Sequence, residues 1–451
     1  MKTTKFKPSE VGPIPVEWEV KRLGDCCKKI GSGATPTGGA TVYLSHGVSL
    51  IRSQNVYNGY FKYEGLAHIT DSAASALDGV TVQDDDVLLN ITGDSVARCT
   101  KVPADVLPAR VNQHVAIIRT CSEELGSDYL QCYLASPDMQ TYMLNAASGQ
   151  GGSRNAMTKG MVEDFQIPIP PLPEQKAIAE ALSDMDALLA AMTTLIEKKR
   201  AIKQGTMQEL LGMRHDEFGM RDEPIRRLAG FSGAWVEKRL GECGKSIRGV
   251  GYKPNQAHHE AGVGRTMLLR SNNVRDNVLN FEDVVFVADE CVSEEQRMLC
   301  GDILICSANG SRNLVGKSAR LNDDRAVTFG AFMMVFRPNE TISSGLVCYL
   351  LQSDSYRQQI DDILTGSAIN NLNAKDVLDL TFYVPPTLAE QKAIAAVLSD
   401  MDADIAALEA KRAKYERIKQ GMMQELLTGK TRLVGKRIVL ADSSLIWMYN
   451  L

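Results

Sequence analysis

The sequence lacks the features by which membrane-spanning, secreted and strongly nucleic-acid-binding proteins are recognised. No run of about 20 apolar residues occurs in the 451 residues, so no membrane-spanning helix is predicted. The opening MKTTKFKPSEVG has no apolar stretch typical of a secretory signal. Basic residues do not outnumber acidic ones, with 50 Lys and Arg against 55 Asp and Glu. Because phosphate neutralisation supplies much of the affinity for DNA, this balance argues against strong DNA binding by the chain alone.

The sequence also lacks the motifs of common enzymes and metal sites. GSRNLVGKS resembles a phosphate-binding loop, but five residues separate Gly310 from Gly316 where the motif requires four. Neither H-E-x-x-H nor G-x-S-x-G occurs. The ten cysteines form no C-x-x-C pair and are predicted to be reduced and mostly buried, as in a cytoplasmic protein. We therefore predict no catalytic residues, no metal ligands and no cofactor in this chain.

What the chain does contain is a long internal repeat. EQKAIAEALSDMDALLA, starting at Glu174, returns as EQKAIAAVLSDMDADIA at Glu390, an offset of 390 − 174 = 216 residues with 13 of 17 positions identical. Solenoid repeats have periods of about 20–50 residues, so this period indicates duplication of a whole domain together with a helix.

The segments before the repeated helices share a frame but differ in their loops. WEVKRLGD at Trp18 matches WVEKRLGE at Trp235, and LIRSQNV at Leu50 matches LLRSNNV at Leu268. Short apolar strands such as VSLIR, DVLLNI and HVAIIRT alternate with polar loops, and one helix is predicted over 127–144, so each segment is predicted to be a mixed α/β domain. Two different binding surfaces on one scaffold would produce this pattern, and so would ordinary drift after duplication.

A long amphipathic helix follows each domain, after the extended proline-rich segment IPIPPLP in the first copy and YVPPTLAEQ in the second. Apolar residues recur in alternating steps of four and three, as in a coiled coil; in the first copy they are Ile178, Leu182, Met185, Leu189, Met192 and Ile196. In the second copy, Thr387 and Glu390 have the spacing of a capping box. We expect the two helices to pair antiparallel with each other; packing of each helix on its own domain is the alternative.

Three groups of polar loop residues lie at equivalent places in the two copies. Loop A covers 52–55 and 270–273, loop B covers 90–98 and 307–313, and loop C covers 148–159 and 365–375. Arg, Asn, Gln and Ser are the residues that read base edges, although Asn, Ser and Gly are also ordinary turn residues. The predicted DNA contacts are Arg52, Ser53, Asn55, Thr92, Arg98, Arg154 and Asn155 in the first copy, and Arg270, Ser271, Asn272, Asn309, Ser311, Arg312, Asn370 and Asn371 in the second.

These motifs give the chain a family resemblance. PLPEQKAIAEALSDMDALL with KQGTMQELL, and the second copy ending in MMQELLTGKTRL, resemble the specificity subunit of Type I restriction–modification enzymes over about residues 7–433. The tail beyond this range has no functional interpretation. The resemblance implies target recognition domains at 1–172 and 214–386, spacer helices at 173–213 and 387–430, and a C-terminal tail at 431–451. The implied fold is α+β (mixed α/β), with the two domains held apart by an antiparallel pair of long coiled-coil helices about an internal pseudo-two-fold axis.

The resemblance implies a non-catalytic subunit in which each domain reads one half of a bipartite, asymmetric DNA site. Two modification (methyltransferase) subunits, carrying S-adenosylmethionine, and restriction subunits, using ATP and Mg, are the implied partners. Polar residues repeated on the helices are predicted to dock the methyltransferases: Glu174, Gln175, Lys176 and Asp184 in the first copy, and Glu390, Gln391, Lys392 and Asp400 in the second. Two alternatives remain: a scaffold that does not bind DNA, and the recognition part of a fused, self-sufficient methyltransferase or nuclease.

Overall fold

The computed structural model describes residues 5–38, 42–148, 155–216, 219–365 and 370–433. The chain forms two compact units, Met1–Thr193 with Lys411–Leu451, and Thr194–Ala410. The first unit contains the first mixed α/β domain (domain 1, residues 5–169) and the second contains the other (domain 2, residues 225–384). Each unit also includes part of both long helices, repeat helix 1 (Leu172–Leu211) and repeat helix 2 (Leu388–Leu426). The predicted mixed fold with an internal repeat is confirmed.

Domain 1 contains two main sheets. The first has the strand order Tyr43–Leu44, Ala67–Ile69, Val48–Ile51, Ala109–Val111, Thr81–Val82, with the strand at Val48 parallel to the strand at Ala109. The second is antiparallel, in the order Cys99–Lys101, Val87–Asn90, Val115–Thr120, Cys27–Ser32. All four residues of Val87–Asn90 are buried, which explains why this strand appears as an unbroken apolar run in the sequence. The predicted strands VSLIR, DVLLNI and HVAIIRT are confirmed.

Domain 2 repeats this arrangement. One sheet has the order Ala257–His258, Val285–Ala288, Arg265–Leu269, Val327–Phe329, again with one parallel pair, between the last two strands. The other has the order Gly244–Arg248, Met333–Pro338, Ile303–Cys306, Ser318–Arg320. Shorter helices follow in both domains: Asp71–Ser75, Ser127–Leu134, Pro137–Ser148 and Lys159–Glu163 in domain 1, and Leu240–Cys243, Ser344–Leu350, Asp354–Thr365 and Ala374–Leu378 in domain 2.

The helix predicted over 127–144 is two helices, which corrects that prediction. The chain breaks at Ser136, whose hydroxyl accepts a hydrogen bond from the Met139 backbone N–H at 3.4 Å. Pro137 begins the second helix, where its missing N–H costs nothing.

The first residues of the proline-rich segment IPIPPLP are extended as predicted, and they also form a strand, although prolines are unfavourable in sheets. Gln166–Ile169 pairs antiparallel with Glu19–Arg22, and Pro168 lies opposite Val20. The sheet has only two strands, so Pro168 can occupy an edge without breaking a central ladder. The equivalent pair in domain 2 is Thr381–Val384 with Val236–Arg239.

In the first unit, the end of repeat helix 2 lies antiparallel to the start of repeat helix 1. Arg412 Nη1 donates to Thr193 Oγ1 at 3.5 Å, and Lys419 Nζ lies 2.5 Å from Asp186 Oδ1. The residue numbers rise on one helix as they fall on the other. Both helices also contribute to the core of domain 1, through Ile178, Leu182, Met423 and Leu426.

The second unit repeats the same contact. Lys203 Nζ lies 2.6 Å from Asp402 Oδ1, and these residues are the repeat equivalents of Lys419 (203 + 216) and Asp186 (402 − 216). Lys199 pairs with Asp404 at 3.2 Å. Partly exposed ion pairs contribute at most about 1 kcal/mol each, so the buried apolar residues carry more of the pairing. These include Met185, Met192, Ile196 and Ile405, along with Met207, Leu210, Ile394 and Leu398 in the core of domain 2.

A buried Trp–Glu–Arg cluster joins repeat helix 1 to domain 1. Glu174 is 3 % exposed, and its carboxylate accepts a hydrogen bond from Trp18 Nε1 at 3.1 Å. Arg432 binds the same carboxylate with two hydrogen bonds, of 2.7 and 2.8 Å. In the second unit, Glu390 accepts from Trp235 Nε1 and from Arg227 in the same manner.

Arg432 and Arg227 are equivalent in structure although they are not 216 residues apart. The Thr431 backbone N–H donates to Glu425 O at 3.1 Å, and the Arg226 backbone N–H donates to Glu209 O at 2.9 Å. Glu209 and Glu425 do differ by 216. The hairpin of Met213–Asp216 and Gly219–Pro224 is therefore an insertion in the first copy, between Glu209 and Arg226.

The capping box predicted for repeat helix 2 forms only in part. The Glu390 backbone N–H donates to Thr387 Oγ1 at 3.3 Å, but the Glu390 carboxylate binds Trp235 and Arg227 instead. The Thr387 side chain therefore caps the helix, and the Glu390 carboxylate attaches domain 2 to it.

All ten cysteines are free thiols, and Cys300 is the exposed one. Burial raises the pKa of Cys26 to about 11 and that of Cys27 to about 12, so both remain protonated at neutral pH. No helix among the described residues is long and apolar enough to cross a membrane. Within the same residues, no group of three or more His, Cys, Asp and Glu side chains is placed to hold a metal ion.

Candidate nucleic-acid interface

Loops A, B and C of domain 1 meet at one cleft of about 610 Å³. The cleft lies where the strand Val87–Asn90 ends, and the loops are tied together there by backbone contacts. The Gly93 N–H donates to Asn155 O at 2.9 Å, and the Met157 N–H donates to Ile91 O at 2.8 Å. Asn90 Nδ2 donates to Ser53 O at 2.9 Å. The lining residues are Ser53, Gln54, Tyr57, Thr92, Gly93, Asp94, Ser95, Arg98, His114, Asn155 and Ala156.

Four predicted contacts of domain 1 line this cleft: Ser53, Thr92, Arg98 and Asn155. Arg154 lies outside the described residues. One prediction is corrected. Asn55 is fully buried, and its side chain holds loop A by bonding to Arg52 N at 3.1 Å and Lys62 O at 2.9 Å, so it cannot reach DNA. Arg52 is partly exposed and donates from Nη2 to Gly65 O at 2.7 Å, and its contact with DNA stays a prediction.

Two residues that line the cleft, Tyr57 and His114, were not among the predicted DNA contacts. Arg98 places its guanidinium 4.7 Å from the ring centre of Tyr57, which stacks on Tyr60 at 4.9 Å. His114 Nδ1 lies 2.5 Å from Thr92 Oγ1. Arg98 and the tyrosines form a planar surface with hydrogen-bond donors beside it, which suits contact with bases. The comparison of repeat copies could have identified His114, because the following strand is shared.

Domain 2 brings its own loops together by the same backbone contacts. The Leu372 N–H donates to Ser307 O at 2.8 Å, and the Asn309 N–H donates to Asn370 O at 3.4 Å. Asn309 Nδ2 donates to Ser271 Oγ at 3.4 Å, so loops A, B and C also meet here. Asn370 Nδ2 donates to Gly310 O, and Ala308 forms an isolated bridge with Asn371, which is exposed.

The remaining predicted contacts of domain 2 make bonds within the domain. Arg270 and Asn272 both donate to Asp283, which holds loop A in the way that Arg52 does in domain 1. Arg312 is exposed but donates to Asp361 O at 2.9 Å and to Thr365 Oγ1 at 2.7 Å. Arg357, and more weakly Arg312, hold the pKa of the Asp361 carboxyl below its usual range. Ser311 is exposed, and its backbone N–H donates to Asn309 Oδ1 at 3.0 Å.

Loop B aligns differently from the sequence match. In domain 1 the Asn90 N–H donates to Arg98 O at 2.8 Å, and in domain 2 the Cys306 N–H donates to Lys317 O at 2.8 Å. The structural equivalent of Arg98 is therefore Lys317, where the sequence match had indicated Asn313. Between these hydrogen-bonded residues the chain of domain 2 is three residues longer, since 98 − 90 = 8 and 317 − 306 = 11, so loop B of domain 2 extends past residue 313 to Lys317.

The predicted docking residues on the repeat helices separate into two groups. Glu174, Gln175, Glu390 and Gln391 are 1–3 % exposed, so they are unavailable to a partner and are withdrawn from the docking face. Gln175 accepts from the Gly126 N–H at 2.8 Å, as Gln391 accepts from the Ser343 N–H at 2.9 Å. Attachment of the domains explains why these residues recur in both copies. The other group is exposed and consists of Lys176, Asp184, Lys392 and Asp400.

Sequence comparisons find the same repeat in known proteins. The sequence model of a family described as Type I restriction modification DNA specificity domain matches residues 15–201 and again residues 234–420. The chain is 35% identical over 186 residues to the Type I restriction enzyme EcoKI specificity subunit of Escherichia coli (strain K12), covering 41% of this chain and 39% of that protein. The match thus spans about two fifths of that relative's length. A match at 24% identity to the MjaVIII specificity subunit of Methanocaldococcus jannaschii covers 96% of this chain and 97% of that one.

Two solved structures share the fold. The S subunit of a Type I restriction–modification system from M. genitalium superposes with a TM-score of 0.57 at 14% identity, covering 94% of this chain and 98% of that one. A chain from a study of complex assembly and conformational transition of the Type I restriction–modification system gives a TM-score of 0.55 at 20% identity, covering 92% and 99%.

Proposed function

This chain belongs to the family of Type I restriction–modification DNA specificity domains, and we propose that it is the DNA sequence-recognition subunit of a Type I restriction–modification complex. Residues 1–172 and 214–386 act as the target recognition domains, each reading one half of a bipartite asymmetric site. Residues 173–213 and 387–430 set the spacer between the half-sites, and residues 431–451 form a tail. The chain supplies recognition, and its partners supply the chemistry.

One observation carries this proposal. In both domains, loops A, B and C meet at the end of an equivalent strand, held by equivalent backbone hydrogen bonds, while the side chains they present differ. Thr92 and Arg98 of domain 1 correspond to Ala308 and Lys317 of domain 2. A constant frame with different polar side chains is what two readers of different DNA sequences require.

The charge of the chain supports recognition within a complex. Among the described residues that line the cleft of domain 1, Arg98 and Asp94 carry opposite charges. Because phosphate contacts supply most non-specific affinity and the chain has a net charge of −5, we infer that partners add cationic contacts. We propose that two modification subunits provide them and that restriction subunits complete the complex, with S-adenosylmethionine, ATP and Mg bound by those partners in the cytoplasm.

The repeat helices offer each modification subunit the same exposed residues. Lys176 and Asp184 of repeat helix 1 recur as Lys392 and Asp400 of repeat helix 2, and all four are exposed. Exposed polar positions are free to drift unless something binds them, and most loop residues of the two domains have drifted. This recurrence supports one docking site per copy.

The proposal is tested by exchanging residues 1–170 for the same segment of a relative with a different target. We expect the methylated motif to change in one half only, because domain 2 is untouched. The readout is sequencing of methylated sites in cells that express the exchanged chain with its methyltransferase. A change in both halves would contradict the two-reader proposal, and an unchanged motif would favour a scaffold that does not read DNA.

A further inference from the structure

One position beside the loops carries opposite chemistry in the two domains. The carbonyl oxygen of His114 accepts a hydrogen bond from the Ile91 N–H at 3.0 Å, and the carbonyl oxygen of Phe332 accepts one from the Ser307 N–H at 3.0 Å. Ile91 and Ser307 are themselves equivalent, because each carbonyl oxygen accepts a hydrogen bond from a backbone N–H of loop C. The donor is Met157 in domain 1 and Leu372 in domain 2. Positions 114 and 332 are therefore the same place in the frame.

In domain 1 this position is polar. His114 lines the cleft with loops A, B and C. Its Nδ1 lies 2.5 Å from Thr92 Oγ1, and its Nε2 lies 3.0 Å from Gln113 Nε2. Both ring nitrogens therefore have partners within the domain, and the Thr92 hydroxyl keeps hydrogen-bonding capacity for a group that enters the cleft.

In domain 2 the same position is apolar and open to solvent. Phe332 is 72 % exposed, and its carbonyl also accepts from the Ala308 N–H at 3.2 Å, which fixes the backbone against loop B. Ala308 replaces Thr92, so the hydroxyl partner has been lost together with the imidazole. Single exposed apolar side chains are common. Phe332 is distinguished by its fixed position at the place where loops A, B and C meet.

We propose that the residue at position 332 determines base preference, an inference that rests on the proposed function. Phe332 contacts the C5-methyl group of a thymine in the half-site read by domain 2. A phenyl ring has no hydrogen-bonding atom, so it cannot distinguish donors from acceptors on base edges. The thymine methyl is the one apolar group that the major groove displays, and contact with it removes apolar surface from water. His114 occupies the same position in domain 1, where it holds the Thr92 hydroxyl and makes the position polar.

The test measures binding of the complete complex with its methyltransferase to duplexes in which one thymine at a time is replaced by deoxyuridine, which removes only the methyl group. For the wild-type chain, one replacement in the domain 2 half-site should weaken binding about fourfold, the effect of losing one buried methyl group. For Phe332→Ala, the same replacement should have no effect. Phe332→Leu, which keeps an apolar side chain, should retain part of the discrimination.

Leu299→Ala is the matched control. Leu299 is an exposed apolar residue of domain 2, 55 % exposed, and it lies before the start of the strand Ile303–Cys306, whereas loop B begins at the other end of that strand. This variant should discriminate deoxyuridine as the wild type does. Retention of the methyltransferase complex and an unchanged melting temperature establish that each variant is folded.

Three results would decide the matter. Equal deoxyuridine sensitivity in wild type and Phe332→Ala would overturn the proposal. Loss of affinity in Phe332→Ala with no thymine-specific effect would also overturn it, because this is the behaviour of a wedge between base steps. If the wild-type complex recognises no bipartite site, the proposed function itself fails, and that outcome is visible before any variant is compared.

Discussion

At the scale of single residues, the buried carboxylates Glu174 and Glu390 explain much of the repeat. Each accepts hydrogen bonds from a tryptophan of its domain and from an arginine that follows the end of the other repeat helix. A buried carboxylate needs such partners, because an unpaired charge in the interior is strongly destabilising. Their recurrence in both copies therefore follows from folding.

The Glu174→Gln substitution tests this attachment. It removes the charge that pairs with Arg432, whose side chain is only 14% exposed, so we expect a loss of about 3 kcal/mol in the free energy of unfolding. Urea denaturation followed by circular dichroism measures it. Lys176→Gln is the control, since its exposed pair with Glu180 should contribute less than about 0.5 kcal/mol. Equal effects of the two substitutions would show that the buried pair does not hold the domain.

Arg98 is the residue of domain 1 best placed to read a base, and Arg98→Ala tests that role. The planar guanidinium over Tyr57 suits bidentate contact with guanine, so its loss should cost about 1–3 kcal/mol at one base pair and relax the preference there. Binding of the complete complex to single-base variants of the target measures this. Arg98→Lys keeps the charge and should lose the preference as well. A uniform loss over all sequences would instead identify a phosphate contact.

The sequence indicated which loops form the site but not which side chains are free to act. Arg52, Asn55, Arg270 and Asn272 have the chemistry of base readers, yet they hold loop A through hydrogen bonds to distant backbone atoms and to Asp283. Those partners come from tertiary structure, which residue type does not reveal. Lys317 was missed because loop B is longer in domain 2.

At the scale of elements, the two long helices were predictable, because apolar residues recur in steps of three and four along each copy, as from Ile178 to Ile196 in the first. The break at Pro137 was harder to predict, since the apolar stripe continues across it and Pro at a first helical position looks the same as Pro ending a helix. The hairpin inserted after repeat helix 1 hid the equivalence of Arg227 and Arg432 by changing the offset.

Docking of the methyltransferase on the helices is tested by reversing charge at Asp184 and Asp400 together. Both side chains are exposed at equivalent positions, so the double substitution to Lys should reduce co-purification of the methyltransferase without unfolding the chain. Glu197→Lys is the control, because Glu197 is exposed on repeat helix 1 and its equivalent is Ala413, so it does not recur. A complex that retains two methyltransferases after both reversals would exclude this face as the docking site.

At the scale of the whole molecule, the net charge and the duplication together indicate discrimination between DNA sequences. A chain of net charge −5 is poorly suited to hold DNA by charge alone, and it carries two unlike sets of loop side chains on one frame. Discrimination between sequences is what these loops can add to a complex whose affinity comes from elsewhere.

The most direct measurement is sequencing of methylated sites in cells that carry this chain with its methyltransferase. We predict one motif made of two specified half-sites separated by unspecified bases, because two different readers are joined in one chain. The two half-sites should differ, since the loop side chains of domains 1 and 2 differ. A single continuous motif, or methylation that does not depend on this chain, would contradict the account.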